Sequence, residues 1–91
     1  MNREKRRIQL LKSSYPEGTR VECIEMNDPY RPVPQGTRGT VIAVDDMGTV
    51  HVDWDNGSSL GLVYGEDSFR TLTEQEIDEE STEQTNNEMK M

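Results

Sequence analysis

His51 is the only histidine and Cys23 the only cysteine among the 91 residues, so each is a single reactive group without a second of its kind. A metal centre or a nucleophile–base pair needs companions, and no CxxC, HxxH or HExxH spacing supplies them. His51 reads as an exposed residue on a strand. Asp45, Asp46, Asp53 and Asp55 invite calcium instead, because Asp53-Trp54-Asp55-Asn56-Gly57 looks like the opening of an EF-hand loop. That loop needs Gly sixth and Glu twelfth; here Gly57 is fifth and Tyr64 twelfth. Turn-forming carboxylates are the better reading. Two of them could also form an acid–base pair, but that needs a cleft and perturbed pKa values, for which a small barrel has little room. Asn56-Gly57-Ser58 matches a glycosylation acceptor and is read as the by-product of a turn. No catalytic residue, metal or cofactor is expected.

Binding chemistry is better represented. Tyr30 lies among Pro29, Pro32 and Pro34, and Tyr64 precedes the turn Gly65-Glu66-Asp67. Neither tyrosine belongs to a periodic apolar set, and loops could place them side by side. Aromatics with nearby prolines are what peptide-recognising barrels use. The candidate contact residues are therefore Tyr30, Pro32, Pro34, Tyr64, Glu66 and Asp67. The competing reading, equally weighted, has Tyr30 only capping an open barrel end. Trp54 shares parity with Val50 and Val52 and is read as a core anchor rather than a ligand platform.

Charge narrows the choice of partner. Arg3, Lys5, Arg6, Arg7 and Lys12 against Glu4 give the first twelve residues a net of +4. Residues 13–72 carry ten acids against Arg20, Arg31, Arg38 and Arg70, a net of −6, and residues 73–91 add a further −6. Nucleic-acid affinity rests on neutralising phosphates, so the acidic centre disfavours it. The basic segment alone would neutralise at most about five phosphates, giving a log–log salt slope no steeper than roughly −4.5. Pairing of that segment with the acidic tail is the simpler expectation. One cysteine rules out an internal disulfide framework. No apolar run nears the roughly 18 residues of a membrane span, and Ile8–Leu11 is too short for a signal-peptide core. A cytoplasmic monomer with a protein or peptide partner is expected.

The positioning elements follow from pattern. Residues 2–12 favour helix, with an apolar stripe one turn long, and Pro16 ends it. A strand at 20–26 puts Val21 and Cys23 on one parity and Ile24 and Met26 on the other. Either a bulge switches the parity or the strand is covered on both sides, the second face being a seat for the N-terminal helix. Residues 27–36 form a proline-stiffened loop, long for a compact domain. Strands follow at 39–44 and 49–54, the latter with clean alternation. Asn56-Gly57 predicts a type I′ hairpin turn into a strand at 59–63, with a final short strand or 3₁₀ turn at 69–72. Thr73-Glu74-Gln75-Glu76 has the capping-box pattern, but with only Ile77 behind it a frayed turn is expected, and from Asp78 the chain reads as disordered.

Together, Tyr15–Val21, DPYRPVPQGTRGTV (28–41), VDDMGTVHVDWDNGSSLGLV (44–63) and GEDSFR (65–70) resemble an uncharacterised family of bacterial and phage or mobile-element chains, catalogued as a domain of unknown function. That resemblance implies no activity. GTVIAVDDMGTVHVDWDNGS is similar to the hairpin core of the mind bomb-type domain of ubiquitin ligases, which implies an SH3-like barrel and a leaning toward peptide binding. Further aromatic positions of that pattern are missing, so no contact residue carries over.

The expected architecture is small and all-β. It comprises a basic helical segment at 1–14, a five-stranded SH3-like barrel at 15–72 and an acidic disordered tail at 73–91. The expected core is Val21, Cys23, Val41, Val50, Val52, Trp54, Leu60, Leu62, Phe69 and Leu72, with Ile24 and Ile42. The expected function is a non-enzymatic binding or adaptor module for a basic peptide or protein surface. The alternative is an accessory of bacterial or mobile-element nucleic-acid metabolism, or an acidic DNA-mimic-like inhibitor.

Overall fold

A computed structural model describes the backbone of residues 3–89 and the side chains of residues 3–81. The chain runs α1 (Arg3–Ser14), β1 (Arg20–Glu25), β2 (Arg38–Val44), β3 (Thr49–Trp54), β4 (Leu62–Val63), β5 (Ser68–Thr71) and α2 (Glu74–Met89). The five strands form one antiparallel sheet in the order β4-β3-β2-β1-β5. No described helix is long and apolar enough to cross a membrane.

Valine-rich alternation builds the core. Val21 and Cys23 of β1, Val41 of β2, Val50, Val52 and Trp54 of β3, and Leu62 of β4 are all buried, as is Leu72. Gly39 stands opposite Trp54 in the β2–β3 ladder. A Cβ on Gly39 would lie 2.6 Å from Val52 Cγ1 and 2.8 Å from Trp54 Cε3, so glycine makes room for the indole. The indole Nε1–H donates to the Leu60 carbonyl at 2.8 Å, giving a buried polar group the partner it needs.

Two expected core residues lie outside. Ile24 is 41% and Ile42 51% exposed. The cause is the same in both strands: register shifts fall between Cys23 and Glu25 and between Val41 and Ala43. Each bulge turns two consecutive residues outward. The parity break in β1 is therefore a bulge, and the N-terminal helix sits elsewhere. It packs on β2, with Leu11 buried in the core and Leu11 and Ile8 close over Gly48. Lys12 pairs with Asp46 at 2.8 Å. Leu60 and Phe69 are only partly buried, while Leu11, Val33 and Val44 join the core unexpectedly.

The Asn56-Gly57 turn is in place but is not type I′. Only Gly57 has positive φ, at 91°, and Trp54 N–H donates to Ser58 O while Gly57 N–H donates to Trp54 O. This is the three-residue hairpin loop with glycine at the left-handed position. The following strand is shorter than expected. The Leu60 amide bonds Ser58 Oγ and its carbonyl takes the indole, so neither joins a ladder until Leu62.

The acidic segment from Glu74 to Met89 is helical, not frayed or disordered. Residues 90 and 91, also part of the expected tail, lie outside the described residues. The capping box forms reciprocally: Glu76 N–H donates to Thr73 Oγ1 at 3.1 Å, and Thr73 N–H to Glu76 Oε1 at 2.9 Å. Glu76 and Glu80 then pair with Arg20, Arg38 and Arg70 of the sheet. Ion pairing here replaces the apolar burial whose scarcity had pointed to disorder.

Candidate functional site

The proline loop is pinned at its centre. Val33 is 3% exposed; its N–H donates to Met26 Sδ at 3.3 Å and its carbonyl accepts from Cys23 Sγ at 3.4 Å. Pro32 and Pro34 on either side point outward. Where the loop rejoins β1, Gly36 N–H donates to Cys23 O and Cys23 N–H to Thr37 O, both at 2.8 Å. Asp28 Oδ1 accepts the Tyr30 amide at 3.0 Å, and Tyr30 is 88% exposed. Cys23 thus serves packing, and burial pushes its thiol pKa up.

Asp67 organises the second loop. Its Oδ2 accepts the Val63 amide at 2.9 Å, closing the Val63–Asp67 turn, while Oδ1 accepts the Asn27 amide at 2.7 Å. One carboxylate therefore joins the proline loop to the Gly65–Asp67 turn. Glu66 stands exposed at the turn. Tyr64 is 46% exposed, and its ring centroid lies 5.7 Å from the Arg7 guanidinium, within reach of a cation–π contact. Tyr15 and Phe69 meet in a tilted contact, with ring centroids 5.1 Å apart and planes at 52°. Burial first, and Tyr64 second, raise the Tyr15 pKa.

These parts form two shallow grooves with one shared wall. Met26, Pro32, Val33 and Pro34 line the first; Tyr15, Tyr64, Gly65, Asp67 and Phe69 line the second; Ile24 lines both. Pro32 and Pro34 are thus brought together, as are Tyr64 and Asp67, while Tyr30 lines neither groove. Ile24 and Tyr15 are among the lining residues that sequence reasoning missed here. The signal for Ile24 was its break of parity in β1.

Asp45 and Asp55 serve local structure. Asp45 Oδ1 accepts the Met47 and Thr49 amides, and Oδ2 lies 2.8 Å from His51 Nε2. The Thr49 amide, then His51, hold the Asp45 carboxyl below its usual range. Asp55 takes a two-pronged ion pair from Arg20 at 2.7 and 2.9 Å. His51 faces outward on β3 while Cys23 is buried, so the structure does not bring them together.

Residues 4–72 match the model of a family described as a domain of unknown function, DUF4314. The chain belongs to that family. The DUF4314 span takes in all but the start of α1, all five strands and both grooves, and stops at Leu72, before α2. Comparison with curated proteins finds no match.

Proposed function

We propose that this DUF4314 chain is a non-enzymatic binding module that recognises a basic peptide or basic protein surface. Its contact surface would be the two grooves that meet at Ile24. The observation that carries the reading is Ile24 itself: an aliphatic side chain held outward by a bulge, with prolines on one side and a tyrosine on the other. Neither the core nor the sheet ladder needs it there. Glu25 and Glu66, both exposed, supply negative charge at the rim, and the −6 balance of residues 13–72 favours a cationic partner, since complementary charge speeds encounter and rejects wrong partners.

The fold reading that accompanies this is an SH3-like barrel. Its support is connectivity: β1 to β4 run as a meander, and β5 returns to pair with the free edge of β1. Grooves at the loop ends of such a barrel are suited to extended, proline-containing peptides. The test is affinity capture from the source cell with wild-type, Ile24→Asp and Tyr64→Ala chains as bait. Partners retained by the wild type and lost by both folded variants are expected; partners retained by all three would sink this surface.

A further inference from the structure

Three of the four arginines in residues 13–72 converge on one face of the sheet. Arg20 and Glu22 alternate with buried Val21 and Cys23 along β1, so they face away from the core. Arg38 of β2 and Arg70 of β5 both stand opposite Glu22 in the ladders. Packing of the core requires none of them. Against three guanidiniums the sheet and its loops supply only Glu22 and Asp55, which leaves a cationic island on an otherwise acidic domain.

That island is covered by α2. Glu76 and Glu80, one helical turn apart, hold the three guanidiniums, with Arg38 also 3.5 Å from Glu76. Arg70 holds Glu76 through both oxygens at 2.6 and 2.9 Å. Arg20 holds Glu80 through both oxygens at 2.8 and 3.2 Å, and Arg38 reaches Glu80 at 3.1 Å. Paired guanidinium–carboxylate forks of this kind are directional as well as strong. Apolar support for the helix is slight: among its described side chains only Ile77 is aliphatic, and it is half-buried. A cover held by partly exposed ion pairs, with little apolar burial beneath it, is weakened by salt. The family span encloses all three arginines and ends before the helix that covers them.

We propose that the Arg20–Arg38–Arg70 face is a docking surface for an acidic helix of a partner protein, one presenting two carboxylates a helical turn apart, and that α2 fills it in cis until displaced. The seated helix is the template for the ligand. Guanidinium forks also accept phosphate, but the occupant seen is a helix with carboxylates in helical register, and the acidic domain around the face opposes a polyanion as long as DNA. A short acidic helix is tolerated, as α2 itself demonstrates. This surface is separate from the grooves at Ile24 and stands or falls independently of them.

The test uses the full-length chain, with the Nε–H signals of Arg20, Arg38 and Arg70 followed by NMR. In E76Q/E80Q these signals should leave their wild-type positions while the Trp54 indole signal stays put. Adding a synthetic peptide of residues 73–89 should return them saturably at millimolar concentration, the range of effective concentration that a short tether supplies in cis. The same peptide carrying both glutamines should not do so, and salt of about 1 M, where the Debye length is about 3 Å, should abolish the return. If the double variant loses its indole signal, E80Q alone is titrated, with movement and return expected at Arg20 and Arg38. Arginine signals indifferent to the substitutions, or to the acidic peptide, overturn the proposal. A duplex DNA oligomer that acts at lower concentration than the peptide overturns it in favour of nucleic acid.

Discussion

The Asn27 amide donates to Asp67 Oδ1 across 2.7 Å, joining two loops that are forty residues apart in the chain. The other oxygen of the same carboxylate closes the Val63–Asp67 turn. Asp67 therefore acts on the candidate surface by fixing its shape: one groove's prolines and the other groove's tyrosine are held in a common frame on either side of Ile24.

Asp67→Ala should loosen that frame and cost stability. Two backbone amides would lose a charged acceptor, and hydrogen bonds to charged groups contribute about 1.5–3 kcal/mol each in favourable settings. Because Asp67 is partly exposed, a total loss of about 1–3 kcal/mol is expected from denaturant unfolding. Amide exchange should quicken at Asn27 and Val63 more than at Val50. Uniform quickening would show that Asp67 has no local role.

Trp54→Ala should unfold the chain, since truncating a buried Trp costs ~3–5 kcal/mol and a domain this small has little to spare. Gly39→Ala probes the same contact from the other side, forcing a methyl against the indole and Val52. Overpacking of this kind costs about 1–3 kcal/mol. A Gly39→Ala chain as stable as the wild type in a urea melt would contradict the packing described for the β2–β3 pair.

Acid should release α2 before it unfolds the sheet. The Arg70 guanidinium, and then the Thr73 amide, hold the Glu76 carboxyl down to about 2, against an ordinary value of 4.5. Glu80 is lowered chiefly by Arg20. A carboxylate whose folded pKa is depressed stabilises above its ordinary pKa, and that stabilisation fades as pH falls toward the folded value. The far-UV helical signal should therefore decline between about pH 4.5 and 2 while Trp54 fluorescence holds. Simultaneous loss of both signals would contradict the ion-paired attachment of α2.

Much of the sheet was legible because its rules are local. Val50, Val52 and Trp54 alternate without interruption, and β3 lies where that alternation put it. The turn at Asn56-Gly57 was legible in position but not in type, because one positive φ, at Gly57, suffices for the wider loop. Ile24 and Ile42 were misread as core since a bulge leaves no mark in the hydrophobic pattern beyond a parity break, which also fits a two-sided strand. That misreading also hid Ile24 as the wall shared by the grooves. The acidic helix was misread for a different reason. Its ion-pair partners are arginines at positions 20, 38 and 70, and no local window around Glu76 contains two of them.

Peptide titration followed by NMR is the decisive measurement for the proposed basic-ligand surface around Ile24. Proline-containing peptides rich in Lys and Arg, and matched peptides with Glu in their place, are added to the full-length chain at moderate salt. Saturable shifts are expected from the basic set alone, centred on Ile24, Val33, Tyr64 and Gly65, and abolished by Ile24→Asp without loss of the Trp54 indole signal. Shifts centred elsewhere, equal response to the acidic peptides, or an Ile24→Asp chain that binds as before would contradict it.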